Sequence, residues 1–167
     1  MIAAVLFDLD GTLVDTSKIE LLRKARKWKD CVSSLHLTIY FDGVSQMLSA
    51  LHAEGMKIGI VTTSVSFYAE RVCKHHEVPY DVLIAYHDAR PKPAPDPFLL
   101  ALKKLKVDRT QAIGVGDDLP DLESLRSGNI RAIGAGWSPF LKADAGWDHI
   151  VESPAALLEW IEENTGD

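Results

Sequence analysis

Apolar residues in this chain fall into two kinds of run, short continuous ones and longer ones spaced in threes and fours. Ala3 to Phe7 is a short apolar run that ends in Asp and Gly, the pattern of a strand buried on both faces of a parallel sheet. Lys57 to Val61, Val82 to Tyr86, Ala112 to Val115 and Ile130 to Ile133 repeat it with aliphatic and β-branched residues. Between these runs the spacing becomes helical. Val44, Met47, Leu48 and Leu51 recur at helical intervals before Gly55, and Phe98, Leu99, Leu102 and Leu105 do the same after Pro97. Strand and helix alternate, which predicts an α/β fold: a doubly wound, Rossmann-like parallel sheet with helices on both faces. Ligands of such sheets bind beyond the carboxyl ends of the strands, so functional residues are expected just after them.

One stretch breaks the rhythm. Thr16 to Tyr40 separates the first two core strands and holds a predicted helix with Leu21, Leu22, Ala25 and Trp28 on one side. It reads as a small helical insertion above the sheet. Asp144 to Asp148 is loop-like, and Pro154 to Trp160 is a closing helix with Ser153 as its N-cap. The 167 residues, 47% hydrophobic and 25% charged, fit one globular domain over positions 1–167. No apolar run is long enough for a membrane span, and Ile2 to Phe7 is too short for a secretory signal. The expectation is a cytoplasmic protein that starts at Met1. Cys31 and Cys73 form neither a Cys-x-x-Cys nor a zinc-like cluster and read as reduced thiols.

The net charge of −6 argues against general nucleic-acid affinity, leaving nucleic acid only as a conceivable substrate. Against that background Arg23, Lys24, Arg26, Lys27 and Lys29 place five positive charges in seven residues. They read as the solvated face of the helix, outside the site; the other reading is steering of an anionic substrate.

The chemistry gathers at the predicted strand ends. Asp8 and Asp10 leave the first strand two residues apart, and Gly11 permits a sharp turn. Two carboxylates held close repel unless a cation or a shared proton relieves them, which makes Mg2+ a natural partner. Taken alone, such a pair is more often turn chemistry. Thr62 follows the second core strand, where its hydroxyl and neighbouring amides suit a phosphoryl oxygen; alone it would read as a cap. Lys92 lies among Pro91, Pro93, Pro95 and Pro97, either aimed by a stiff loop or simply exposed on it. Asp117, Asp118 and Asp121 follow Gly116 and offer a further carboxylate to a metal, though Asp118 or Asp121 equally suits the cap of the next helix.

In this order, Asp8-Leu9-Asp10-Gly11-Thr12, Thr62, Lys92-Pro93 and Gly116-Asp117 with Asp121 resemble the haloacid dehalogenase superfamily on its phosphatase branch. The resemblance covers nearly the whole chain. It implies a magnesium-dependent phosphatase that acts on a phosphate monoester, with Asp8 as nucleophile and Asp10 as general acid and base. Thr62 and Lys92 would bind the transferring phosphoryl group. Asp8, the Asp10 backbone carbonyl and Asp117 would hold Mg2+, with Asp121 supporting them. The insertion at 16–40 is shorter than the cap many relatives carry, which implies a more open site for a small or a macromolecular phosphorylated substrate, or one covered by another subunit.

Other features stay outside this reading. His75 and His76, at the end of a predicted helix, favour its dipole or solvent. Trp137 and Phe140 either line the entrance or pack internally. Gly114 and Gly116 start a dinucleotide-like series that Asp117 and Asp118 break. A phosphomutase or phosphotransferase is the nearer alternative, and a receiver-type signalling domain the more distant one, since its phosphorylated aspartate ends a middle strand.

Overall fold

The computed structural model describes residues 1–165. Six parallel strands form its sheet: β1 (Ala4–Phe7), β4 (Lys57–Val61), β5 (Val82–Ile84), β6 (Ala112–Gly116), β7 (Arg131–Ala135) and β8 (His149–Val151). Their spatial order is β5-β4-β1-β6-β7-β8. From central β1 the chain builds outward to one edge and then returns to build the other. The ends of β1, β4 and β6 therefore lie side by side at the point where the winding reverses.

Because side chains alternate along a strand, β1 supplies both cores. Val5 and Phe7 join the apolar layer under α3 (Val44–Ala53), α4 (Ser66–His75) and α7 (Pro154–Thr165). Ala4 and Leu6 join the layer under α5 (Asp96–Leu105) and α6 (Leu119–Ser127). Ser153 caps α7, its hydroxyl accepting from the Ala156 amide at 3.1 Å. The expected strand at Val82 to Tyr86 stops at Ile84. Strand β8 falls where no strand is predicted, because its three residues are too few to show a period.

The inserted segment is held by a two-residue antiparallel ribbon, β2 (Val14–Asp15) against β3 (Ile39–Tyr40). Between its strands lie two short helices, α1 (Glu20–Lys24) and α2 (Trp28–Ser33), where one helix is expected. The break is a Schellman turn. The Lys27 amide donates to Leu22 O and the Arg26 amide to Arg23 O, both at 2.9 Å, with Arg26 left-handed at φ 53°. The turn rotates the faces, so Leu21 is 81% exposed instead of sharing the buried side with Leu22 and Trp28. Trp28 packs on Tyr68 of α4 with ring centroids 5.5 Å apart. No helix among the described residues is long and apolar enough to cross a membrane.

Candidate active site

A cavity of about 890 Å³ opens over the carboxyl ends of β1, β4 and β6, a volume within the range of small-molecule sites. All six predicted site residues line it: Asp8, Asp10, Thr62, Lys92, Asp117 and Asp121. Asp8 stands at its floor, one residue past β1, its amide donating to Val115 O of β6 at 3.0 Å. Lys92 comes from the loop after β5. Its side chain is 2% exposed, and Nζ donates to Asp8 Oδ1 at 2.8 Å and Asp121 Oδ1 at 2.6 Å. The proline-rich loop therefore buries this lysine against two carboxylates.

Asp117 reaches the same point from β6. Carboxylate oxygens of Asp8, Asp117 and Asp121 all lie within 4.8 Å of one another, and all three residues are buried. Two glycines permit this crowding. A Cβ on Gly11, whose φ is +84°, would stand 2.8 Å from Asp117 Oδ2, and one on Gly116 would stand 2.6 Å from Asp121 Oδ2. Thr12 donates its hydroxyl to Asp117 Oδ1 at 2.9 Å and lies 3.4 Å from Asp8 Oδ2.

The electrostatics follow from burial. Desolvation, then the charge of Asp121, pushes the Asp8 carboxyl up to about 6 although Lys92 pulls it down. Desolvation, with Asp8 next, pushes Asp117 up to about 9, and desolvation with Asp121 pushes Asp118 up to about 8. Asp121 is the better satisfied member. Its Oδ1 takes Lys92, and its Oδ2 accepts from the Asp117 amide at 3.2 Å and the Asp118 amide at 3.4 Å. Asp118 Oδ1 accepts in turn from the Asp121 amide, closing a capping box at the start of α6. Asp8 and Asp117 thus have too few partners to hold negative charge comfortably, which is why their carboxyls are raised, and a hard divalent cation with oxygen ligands fits that donor set.

Asp10 is separate from this acidic group. Its Oδ1 accepts from Thr16 Oγ1 at 2.9 Å and Tyr68 OH at 2.7 Å, and its Oδ2 from Ser64 Oγ at 3.0 Å. Thr62 is buried after β4, where its hydroxyl accepts from the Ser64 amide at 3.1 Å. Ser138 and Trp137, from the loop after β7, donate to Gly11 O and Thr12 O and so brace the turn that follows Asp10. Trp137 has this packing role; Phe140 lines the cavity and is partly exposed.

Sequence reasoning missed several participants. Arg23, read as part of a solvated face, turns inward with Nη1 3.6 Å from Asp10 Oδ2, and Lys24 and Arg26 line the cavity too. Lys27 and Lys29 are exposed as expected. Ser64 and Tyr68 were not distinguished by any local motif. Among the histidines, His75 is exposed, but His76 is not given over to solvent. Thr38 spends its one hydroxyl proton on Leu35 O at 2.6 Å, so His76 Nε2 donates to Thr38 Oγ1 at 2.7 Å.

Comparison with known proteins agrees with the strand-end pattern. The family of haloacid dehalogenase-like hydrolases matches residues 17–135. A candidate pyrophosphatase PpaX of Caldanaerobacter subterraneus subsp. tengcongensis is 32% identical over 209 aligned positions, covering 96% of this chain and 94% of the relative. The N-acetylmuramic acid 6-phosphate phosphatase of Pseudomonas aeruginosa is 28% identical, covering 91% of this chain and 70% of its own. The crystal structure of a candidate phosphoglycolate phosphatase from Lactobacillus plantarum shares the fold with a TM-score of 0.85 at 21% identity, covering 95% of this chain and 99% of that one. The chain belongs to the haloacid dehalogenase-like hydrolase family, as a hydrolase of the phosphatase type.

Proposed function

We propose that the protein hydrolyses a phosphate ester or anhydride of a small molecule by transferring the phosphoryl group to Asp8, with Mg2+ as its metal. The carrying observation is the placement of Asp8. It is buried at the floor of the cavity, 2.8 Å from the Lys92 ammonium and beside the undercompensated Asp117. The family generally uses Mg2+, and the buried oxygen donors suit it. Asp8, Asp117 and the Asp10 carbonyl would hold the ion, with Asp121 fixing Lys92 and the start of α6 behind them. Bound there, Mg2+ supplies positive charge against the phosphoryl oxygens.

The chain's own groups perform the rest. A carboxylate oxygen of Asp8 attacks phosphorus as the bond to the leaving oxygen breaks, giving an aspartyl phosphate. Asp10, held by Thr16, Ser64 and Tyr68, protonates the leaving oxygen. In the second step Asp10 takes a proton from water, the water oxygen joins phosphorus, and the bond to Asp8 breaks. Lys92 and Thr62 neutralise and orient the phosphoryl oxygens throughout.

We take positions 16–40 as a reduced cap on a single domain. In support, the alignment with the PpaX relative spans 209 positions against a chain of 167, so that relative has stretches without a counterpart here. The buried free thiols Cys31 and Cys73 are compatible with a reducing, cytoplasmic setting. The test is phosphate release from p-nitrophenyl phosphate with Mg2+. Wild-type protein should turn over, and Asp8→Asn should be folded but inactive; turnover by Asp8→Asn near the wild-type rate would sink the mechanism.

A further inference from the structure

Within its basic run, Arg23 stands out for what its donors lack. Lys24 pairs with Glu20 at 2.9 Å, and Arg26 lies over the Tyr86 ring at 5.7 Å. The Arg23 side chain is only 22% exposed, yet among the described residues its buried Nε has no hydrogen-bond partner. Its Nη1 stops 3.6 Å from Asp10 Oδ2, beyond hydrogen-bond reach. Asp10 does not depend on it, because three hydroxyls already occupy that carboxylate.

A guanidinium is a planar fork of five donors, and stripping its water without supplying acceptors is unfavourable. The side chain lines the cavity, so an oxyanion entering there could take up the guanidinium donors that face it. Direction identifies which oxyanion. The transferred phosphoryl group belongs at Asp8, Lys92 and Thr62, whereas Arg23 borders Asp10, the group that protonates the departing oxygen. Arg23 therefore faces the leaving group.

We propose that Arg23 is a specificity residue that binds a second anionic group, a carboxylate or phosphate, carried by the leaving group. The preferred substrates are then small phosphate esters or anhydrides whose leaving group is itself negatively charged. The inference rests on the roles given above to Asp8 and Asp10. The Schellman turn at Arg26 serves this arrangement, since it ends α1 and lets Arg23 point into the cavity while α2 packs on α4.

Matched probes test it. Phosphoglycolate against hydroxyethyl phosphate reads a distal carboxylate, and inorganic pyrophosphate against acetyl phosphate, an anhydride whose leaving portion carries no second phosphate, reads a distal phosphate. Wild-type kcat/KM should favour the charged member of at least one pair. Arg23→Gln should reduce that preference roughly 10- to 100-fold, the loss expected for hydrogen bonds to a charged group. Arg23→Lys, keeping charge without the fork, should retain part of it, and carries the test alone if Arg23→Gln does not fold. Equal wild-type efficiency within both pairs, or an equal loss on both members in Arg23→Gln, overturns the assignment. So does turnover of p-nitrophenyl phosphate with none of the four probes hydrolysed. A wild-type protein inactive on all five compounds overturns the phosphatase reading itself.

Discussion

Lys92→Met removes the ammonium while keeping most of the apolar stem, and so isolates the charge at the centre of the site. The side chain is 2% exposed and donates to Asp8 at 2.8 Å and Asp121 at 2.6 Å. Deleting one partner of a buried, hydrogen-bonded ion pair costs about 3–5 kcal/mol, because the remaining charge is left uncompensated. In a domain of this size each kcal/mol shifts Tm by about 2–4 °C, so the variant should melt about 6–20 °C lower at pH 8 without Mg2+. The cost should also depend on pH. Asp8 titrates at about 6 with Lys92 present, and losing that cation moves it higher still. A carboxyl raised above its unfolded value of 3.8 gives stability that is full below that value and is lost as pH rises through the folded one. The gap between wild type and variant should therefore shrink at pH 5.5, where Asp8 takes up a proton. Thermal unfolding followed by circular dichroism at both pH values decides the matter. A difference below about 2 °C, or one unchanged between pH 8 and 5.5, would refute the reasoning; the latter outcome would mean that packing had been lost and not charge compensation.

Two further expectations concern the acid groups. Asp10→Asn should lower kcat by about 10²–10⁴-fold on an alkyl phosphate and distinctly less on p-nitrophenyl phosphate, whose leaving group needs little protonation; steady-state rates showing equal losses would count against a general acid. Asp117 and Asp118, raised to about 9 and about 8 by burial and neighbouring carboxylates, should make metal-free protein lose about 3 kcal/mol of stability between pH 7 and 8.5. That window lies above the titration of His76, which burial lowers, and below that of the buried thiols, which burial raises. Mg2+ should flatten the slope in thermal melts, whereas a slope indifferent to Mg2+ would place the ion elsewhere.

What the sequence made legible was local. Asp8 and Asp10 are two residues apart after an apolar run, and Asp117 and Asp121 follow a second one, so strand ends and acidic groups could be located without knowing the packing. The fold followed because most core strands are long enough to show their pattern, which the three residues of β8 are not. The partners of Asp10 were not legible. Ser64 and Tyr68 lie 54 and 58 positions away, and neither hydroxyl differs in sequence from one that caps a turn or fills a core. The basic run was misread for a related reason. Periodicity assumes one continuous helix, and Arg26 at φ 53° ends it, so residues assigned to a single solvated face diverge.

The charge distribution shows why an acidic cavity is compatible with an anionic substrate. Lys92 is shared between Asp8 and Asp121, and Asp121 is further satisfied by two backbone amides. The lysine thus offsets part of the charge, while Asp8 and Asp117 have too few partners for theirs and their carboxyls are pushed up. Two ionised carboxylates beside a phosphoryl group would repel it unless positive charge arrived with it, which a divalent cation held by these residues would supply. Arg23 stands outside that balance, on the Asp10 side of the cavity, with Asp10 Oδ2 3.6 Å from its Nη1. The cation would then answer the charge of the phosphoryl group and Arg23 that of the leaving group. Two short helices would be enough for this second task, because recognition of a small charged leaving group needs one well-placed fork and not a large enclosing lid.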